Sequence, residues 1–137
     1  MLGSLKSPFP EPKGVSVRDD LVAMLTVLCA DKADPRTARR YALLLGEGEK
    51  YPRLMARYKQ TVAEPRREVL RAVLHRGIAT GELRADTDVE IAVLALTGTV
   101  LAQEKSASRP LGGEFPARIV DELLLGLAAR RARPLPG

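Results

Sequence analysis

Glu47 and Glu49, just ahead of Lys50, are the nearest this chain comes to the paired carboxylates of an acid–base site. General acid–base catalysis needs two groups of different environment within reach of one substrate atom. This pair lies among Gly46 and Gly48 in a loop, and nothing nearby would complete a site. The lone His75 stands beside Arg71 and Arg76, roughly opposite Val73 on a helix, and reads as a solvated imidazole rather than a base or ligand. The lone Cys29 falls on an apolar helical stripe, where a buried inert thiol is expected. One cysteine excludes an internal disulfide and suits a reducing, cytoplasmic setting. There is no glycine-rich phosphate loop, no cysteine pair and no nucleophile elbow. The expectation is a non-enzyme with no metal and no cofactor.

Charge offers a second kind of chemistry. The 137 residues carry 22 Lys or Arg against 17 Asp or Glu, a net charge of +5. The excess gathers between Arg36 and Arg76: eleven cations (Arg36, Arg39, Arg40, Lys50, Arg53, Arg57, Lys59, Arg66, Arg67, Arg71 and Arg76) face four acids (Glu47, Glu49, Glu64 and Glu68). A phosphate-facing surface is one reading. The plainer one is a set of solvated helix faces, with Glu64 reaching Arg67 and Glu68 reaching Arg71 one turn on. No aromatic or glycine interleaving accompanies the charges, which favours the plainer reading.

The elements that would carry these groups are all helical. Residues 1–15, with Pro8, Pro10 and Pro12 at alternate positions, read as an extended leader without the apolar core of a signal peptide. Ser16 caps a helix running to about Asp31, with Asp19 in the capping-box position and Leu21, Met24, Leu25, Leu28 and Cys29 on one side. Asp34-Pro35 starts a second helix to roughly Leu45, which Gly46 and Gly48 break. A third stretch opens at Tyr51-Pro52 and runs to about Thr80, with a kink or break expected at Pro65 and a stop at Gly81. Either Thr87 with Glu90 or Asp88 caps a fourth helix, Thr87–Ala107. A last helix runs from about Glu114 to Arg130, leaving 132–137 as a tail. Aromatics are 4% and Trp is absent, so the core is aliphatic. The fold class is all-α, one domain over 16–131 of about five helices.

The fourth helix is unusual. Ile91 to Ala102 contains no charge, and its residues are apolar nearly all round. Such a helix must be covered from every direction, yet this one is too short to cross a bilayer. Ile91, Leu94, Ala95, Gly98, Leu101 and Ala102 share one face. Gly98, with Ala95 and Ala102 near it, would let a facing helix approach closely, either within the chain or from a second copy.

Val62 to Leu101 resembles the C-terminal domain of TetR-type transcriptional regulators. Pro65-Arg66-Arg67, Gly81-Glu82-Leu83, Asp86, Asp88 and Gly98 carry the likeness, joined by Ile119-Val120-Asp121 and by Val17-Arg18-Asp19-Asp20-Leu21. It spans roughly residues 16–129. The resemblance implies a regulatory domain whose last two helices pair with their mates in a four-helix bundle, making a homodimer. Val120, Leu123, Leu124 and Leu127 would join the Gly98 face in that interface. It also implies a pocket for an apolar small-molecule effector enclosed by the preceding helices. Met24, Leu25, Leu28 and Leu44 are the candidate lining from the first two helices, and Met55, Tyr58, Val62 and Thr97 from the next two. The family's DNA-binding helix-turn-helix is not expected within residues 1–15, so DNA would be reached only through a domain outside this chain. The alternative function is a helical protein-interaction module with no ligand; a basic nucleic-acid-binding module is the third. No membrane partner is expected.

Overall fold

The computed structural model describes residues 11–33, 35–36, 39, 43, 46–47, 49–106 and 113–127, and gives the backbone alone for 31–33, 101 and 103–106. Helix α1, Val17–Ala33, starts where its cap dictates: Ser16 Oγ accepts the Asp19 N–H at 3.1 Å, and two acids occupy the first turn. Val17, Leu21, Met24, Leu25 and Leu28 line its inner face. The second helix expected, 35–45, lies largely outside the described residues, and so does the candidate Leu44.

Helix α2, Pro52–Tyr58, has proline in its first turn and buries none of its residues. It runs directly into a π-helical turn, Lys59–Ala63, and then into α3, Glu64–Thr80. The Glu64 N–H reaches back five residues to the Lys59 carbonyl. Pro65 has no N–H to give, and its ring would crowd the carbonyl four residues earlier in a regular helix. The widened turn makes that room, so the break expected here is a change of helix type rather than a loop. Gly81 (φ +85) ends α3 in the left-handed conformation, its N–H bonding the Ile78 carbonyl at 3.2 Å.

Asp88 opens α4, Val89–Ser106, by accepting the Ile91 N–H at 3.1 Å. Helix α5 spans Phe115–Leu125 and stops at Gly126 (φ +76). That is short of the expected Arg130: the leucine stripe continues through Leu127 in sequence, but the backbone leaves the helix at the glycine. Among the described residues there is no strand and no helix long and apolar enough to cross a membrane.

Helix α1 packs against α3, α4 and α5, and α4 lies between α3 and α5. Leu21, Met24, Leu25, Leu70, Leu74, Leu96 and Val120 are completely or almost completely removed from solvent. Apolar burial at about 25 cal/mol per Å² supplies most of the stabilisation of such an aliphatic core. Polar joints fix the helices from outside. Arg71 on α3 forks onto Glu90 of α4 (2.8 and 3.2 Å) and also bonds Glu64 and Glu68 on its own helix. Arg18 on α1 forks onto Asp121 of α5 at 2.6 and 3.1 Å, which holds that carboxyl below its usual range.

The pole where α1 begins is closed by polar groups. Asp20 is 4% exposed, yet accepts the backbone N–H groups of Lys13 (2.9 Å) and Gly14 (3.2 Å) and pairs with Arg76 of α3 at 2.5 Å. Burial by itself would raise the Asp20 pKa. The Arg76 hydrogen bond, the two amides and the arginine's charge outweigh it and hold the carboxyl below its ordinary value. Beside it, Glu82 accepts the Val17 N–H at 3.0 Å, capping α1 from a turn 65 residues away in sequence. Leu83 folds over Gly77, where a Cβ would stand 2.8 Å from the leucine side chain and 2.9 Å from Val17.

Candidate functional site

Helix α4 turns Val89, Ala92, Val93, Leu96 and Val100 into the core. This leaves the opposite stripe of an almost wholly apolar helix in water. Ile91 is 58% and Leu94 57% exposed, and Gly98 and Ala102 are exposed beside them. A Cβ on Gly98 would meet nothing within 4 Å, so no described helix of this chain uses the glycine for close approach. The two threonines of the stretch are internally satisfied: Thr97 donates to the Val93 carbonyl at 2.9 Å and Thr99 to that of Ala95.

Next to this stripe, α4 and α5 diverge to leave a cleft of about 600 Å³. Ala95 and Thr99 form one wall, and Phe115, Ile119 and Leu123 the other. Arg118, Asp121, Glu122, Gly126 and Leu127 complete the lining. Asp121 is engaged by Arg18. The side chains of Arg118 and Glu122, both exposed, have no ion pair among the described residues. Leu125 and Leu127 project into solvent at 80% and 87% exposure.

Of the residues expected at a dimer interface, Ile91, Leu94, Ala95, Gly98 and Ala102 lie on this face or in its cleft, as do Leu123 and Leu127. Leu124 is 37% exposed. Val120 needs correction. It is fully buried against the chain's own core and has no surface to offer a second copy. The side chain of Leu101 lies outside the described residues. Reading the sequence did not single out Arg118 and Glu122, although their spacing of four residues already put them on one side of a helix.

The candidate effector residues are divided by the fold. Met24, Leu25 and Leu28 belong to the packed core, at no more than 7% exposure. Met55, Tyr58 and Val62 are half-buried on α2 and the π-helical turn, and Thr97 is half-buried on α4. None of them lines the cleft between α4 and α5. Thr97, expected to orient a ligand, already spends its proton on the helix backbone.

The basic segment is partly neutralised. Arg67 meets Glu64 at 3.7 Å and Arg71 meets Glu68 at 3.1 Å, the two pairings expected from spacing, while Arg76 serves Asp20. Arg36, Arg39, Arg53, Arg57 and Lys59 stay exposed, and so does His75. Among the described residues no cluster of His, Cys, Asp or Glu could hold a metal ion.

Compared with known families, residues 11–123 match the one described as tetracyclin repressor-like, C-terminal domain. No curated protein matches the chain.

Proposed function

Because the chain belongs to the tetracyclin repressor-like C-terminal domain family, we propose that residues 16–131 form the effector-sensing and homodimerising part of a TetR-type transcriptional regulator. DNA contact is made elsewhere than in these residues, and the protein works in the cytoplasm. The observation that carries the reading is the unpartnered stripe of α4, with Ile91 and Leu94 more than half exposed and Gly98 open. A two-fold axis buries one such patch against its own copy, so a single face supplies both halves of an interface.

The effector enters among Met55, Tyr58 and Val62, whose side chains are half-buried rather than sealed. Pockets between bundled helices commonly take apolar ligands with a few polar groups to orient them. A ligand changes the regulator only by binding one arrangement of the two subunits more tightly than another.

Sedimentation at micromolar concentration tests the pairing: a dimer is expected, and a monomer overturns the reading. Thermal-shift screening with diverse apolar small molecules tests the sensing, since a ligand bound only by the folded state raises Tm. A dimer indifferent to every compound supports a helical protein-interaction module instead.

A further inference from the structure

On the dimer reading just given, the structure assigns Arg118 and Glu122 to a charged seam between the two subunits that fixes the register of α5 against its mate. Three features converge on α5. Arg118, Glu122 and Leu125 follow one another at four and three residues, so they make a single stripe, and all three are exposed. The first two border the apolar cleft and carry opposite charge, yet neither has an ion pair among the described residues. Arginine placed ahead of glutamate is also the weaker order for a pair four residues apart on one helix. Both groups are therefore available to a partner of complementary charge.

A second copy of this chain is that partner. Across a two-fold axis perpendicular to α5, the helix meets its mate running in the opposite direction. With the axis at the level of Val120, Arg118 faces the partner's Glu122 and Glu122 faces the partner's Arg118. The same register brings Leu125 level with the partner's Phe115, which lines the cleft. One arrangement thus satisfies both charges and gives a leucine that is 80% exposed an apolar hollow to fill. Charge and shape select the same offset from independent residues. An unrelated protein or a small ligand could use the cleft, but a second copy brings an acid to Arg118 and a cation to Glu122 at one and the same offset.

Charge reversal tests the seam. In an Arg118→Glu homodimer two carboxylates would meet at each crossing of the seam. In a Glu122→Arg homodimer two guanidinium groups would meet there. Each single variant should dimerise about tenfold more weakly than the parent at low salt. Mixed in equal amounts, the two variants can form a heterodimer in which one α5 carries acids at both positions and its mate carries arginines at both, so each crossing pairs a carboxylate with a guanidinium. Native mass spectrometry should therefore show the heterodimer well above random assortment. If the parent is a dimer and both variants pair as tightly as it does, mixing at random, the seam is wrong and the dimer reading stands. A parent that stays monomeric sinks both. Circular dichroism of each variant checks that the helices are intact, as expected for two exposed side chains.

Discussion

Gly77 and Gly98 sit on neighbouring helices and meet opposite surroundings. At Gly77 an added methyl would press on Leu83 and Val17 at 2.8–2.9 Å, whereas at Gly98 it would touch nothing. The first glycine belongs to a finished corner, where α1, α3 and the turn between α3 and α4 share a buried carboxylate, a remote cap and a closely fitted leucine. The second lies on a face whose apolar residues have found no partner among the described residues. A corner completed by this chain should register damage in folding. A face awaiting another copy should register it in association.

The largest expected loss falls on the corner. Asp20→Ala leaves Arg76 and two backbone amides without their acceptor, and breaking a buried pair in this way costs about 3 kcal/mol in denaturant unfolding at fixed chain concentration. Next comes Gly77→Ala. Alanine is the better helix former by about 1 kcal/mol, yet overpacking against Leu83 and Val17 should leave a net loss of about 2 kcal/mol. Were Gly77→Ala to stabilise the fold, the contrast between the two glycines would be lost.

Gly98→Ala sharpens the comparison because its two effects differ in sign. The dissociated chain gains up to about 1 kcal/mol from helix propensity, while a closely approaching second copy meets the new methyl and sedimentation shows a weaker dimer. Stabilisation with unchanged association would place the interface elsewhere.

The smallest effect is on pH. The Asp20 carboxyl is held below its ordinary value in the folded chain. Its contribution is therefore complete above the unfolded aspartate pKa of about 3.9 and is lost as pH falls through the lower folded value. Asp20→Asn should flatten that part of the acid limb of the Tm profile, and an unchanged slope would show that another carboxylate governs it.

The helix signals closest to the backbone were legible in the sequence. Ser16, Asp88 and Gly81 act through neighbours three residues away, and all three do what their types imply. The outward stripe of α4 was legible too, because Ile91, Leu94, Ala95, Gly98 and Ala102 share one side of a helix that needs cover all round. What distance in sequence hides is the corner. Asp19 and Asp20 look alike as first-turn acids, and only the stripe through Val17 and Met24 hints that Asp20 turns inward. Its partner Arg76 lies 56 residues away, and the Glu82 that caps Val17 lies 65 away. Spacing could not supply either pairing. Val120 misled for a related reason: the leucine-rich stripe of α5 is broad enough to serve two surfaces, and the sequence does not say which residue serves which.

The widened turn at Lys59–Ala63 sets the helix surface before Pro65 out of step with the surface after it. A wheel drawn through Leu54 and Leu74 as one rod would rotate the early residues onto the wrong side by about 100°, the angle one residue occupies. That turn is also where the chain could shed a residue and regain ordinary helical phase. A relative one residue shorter at this point would carry the surface of α2 round to a new direction while leaving the closed corner untouched.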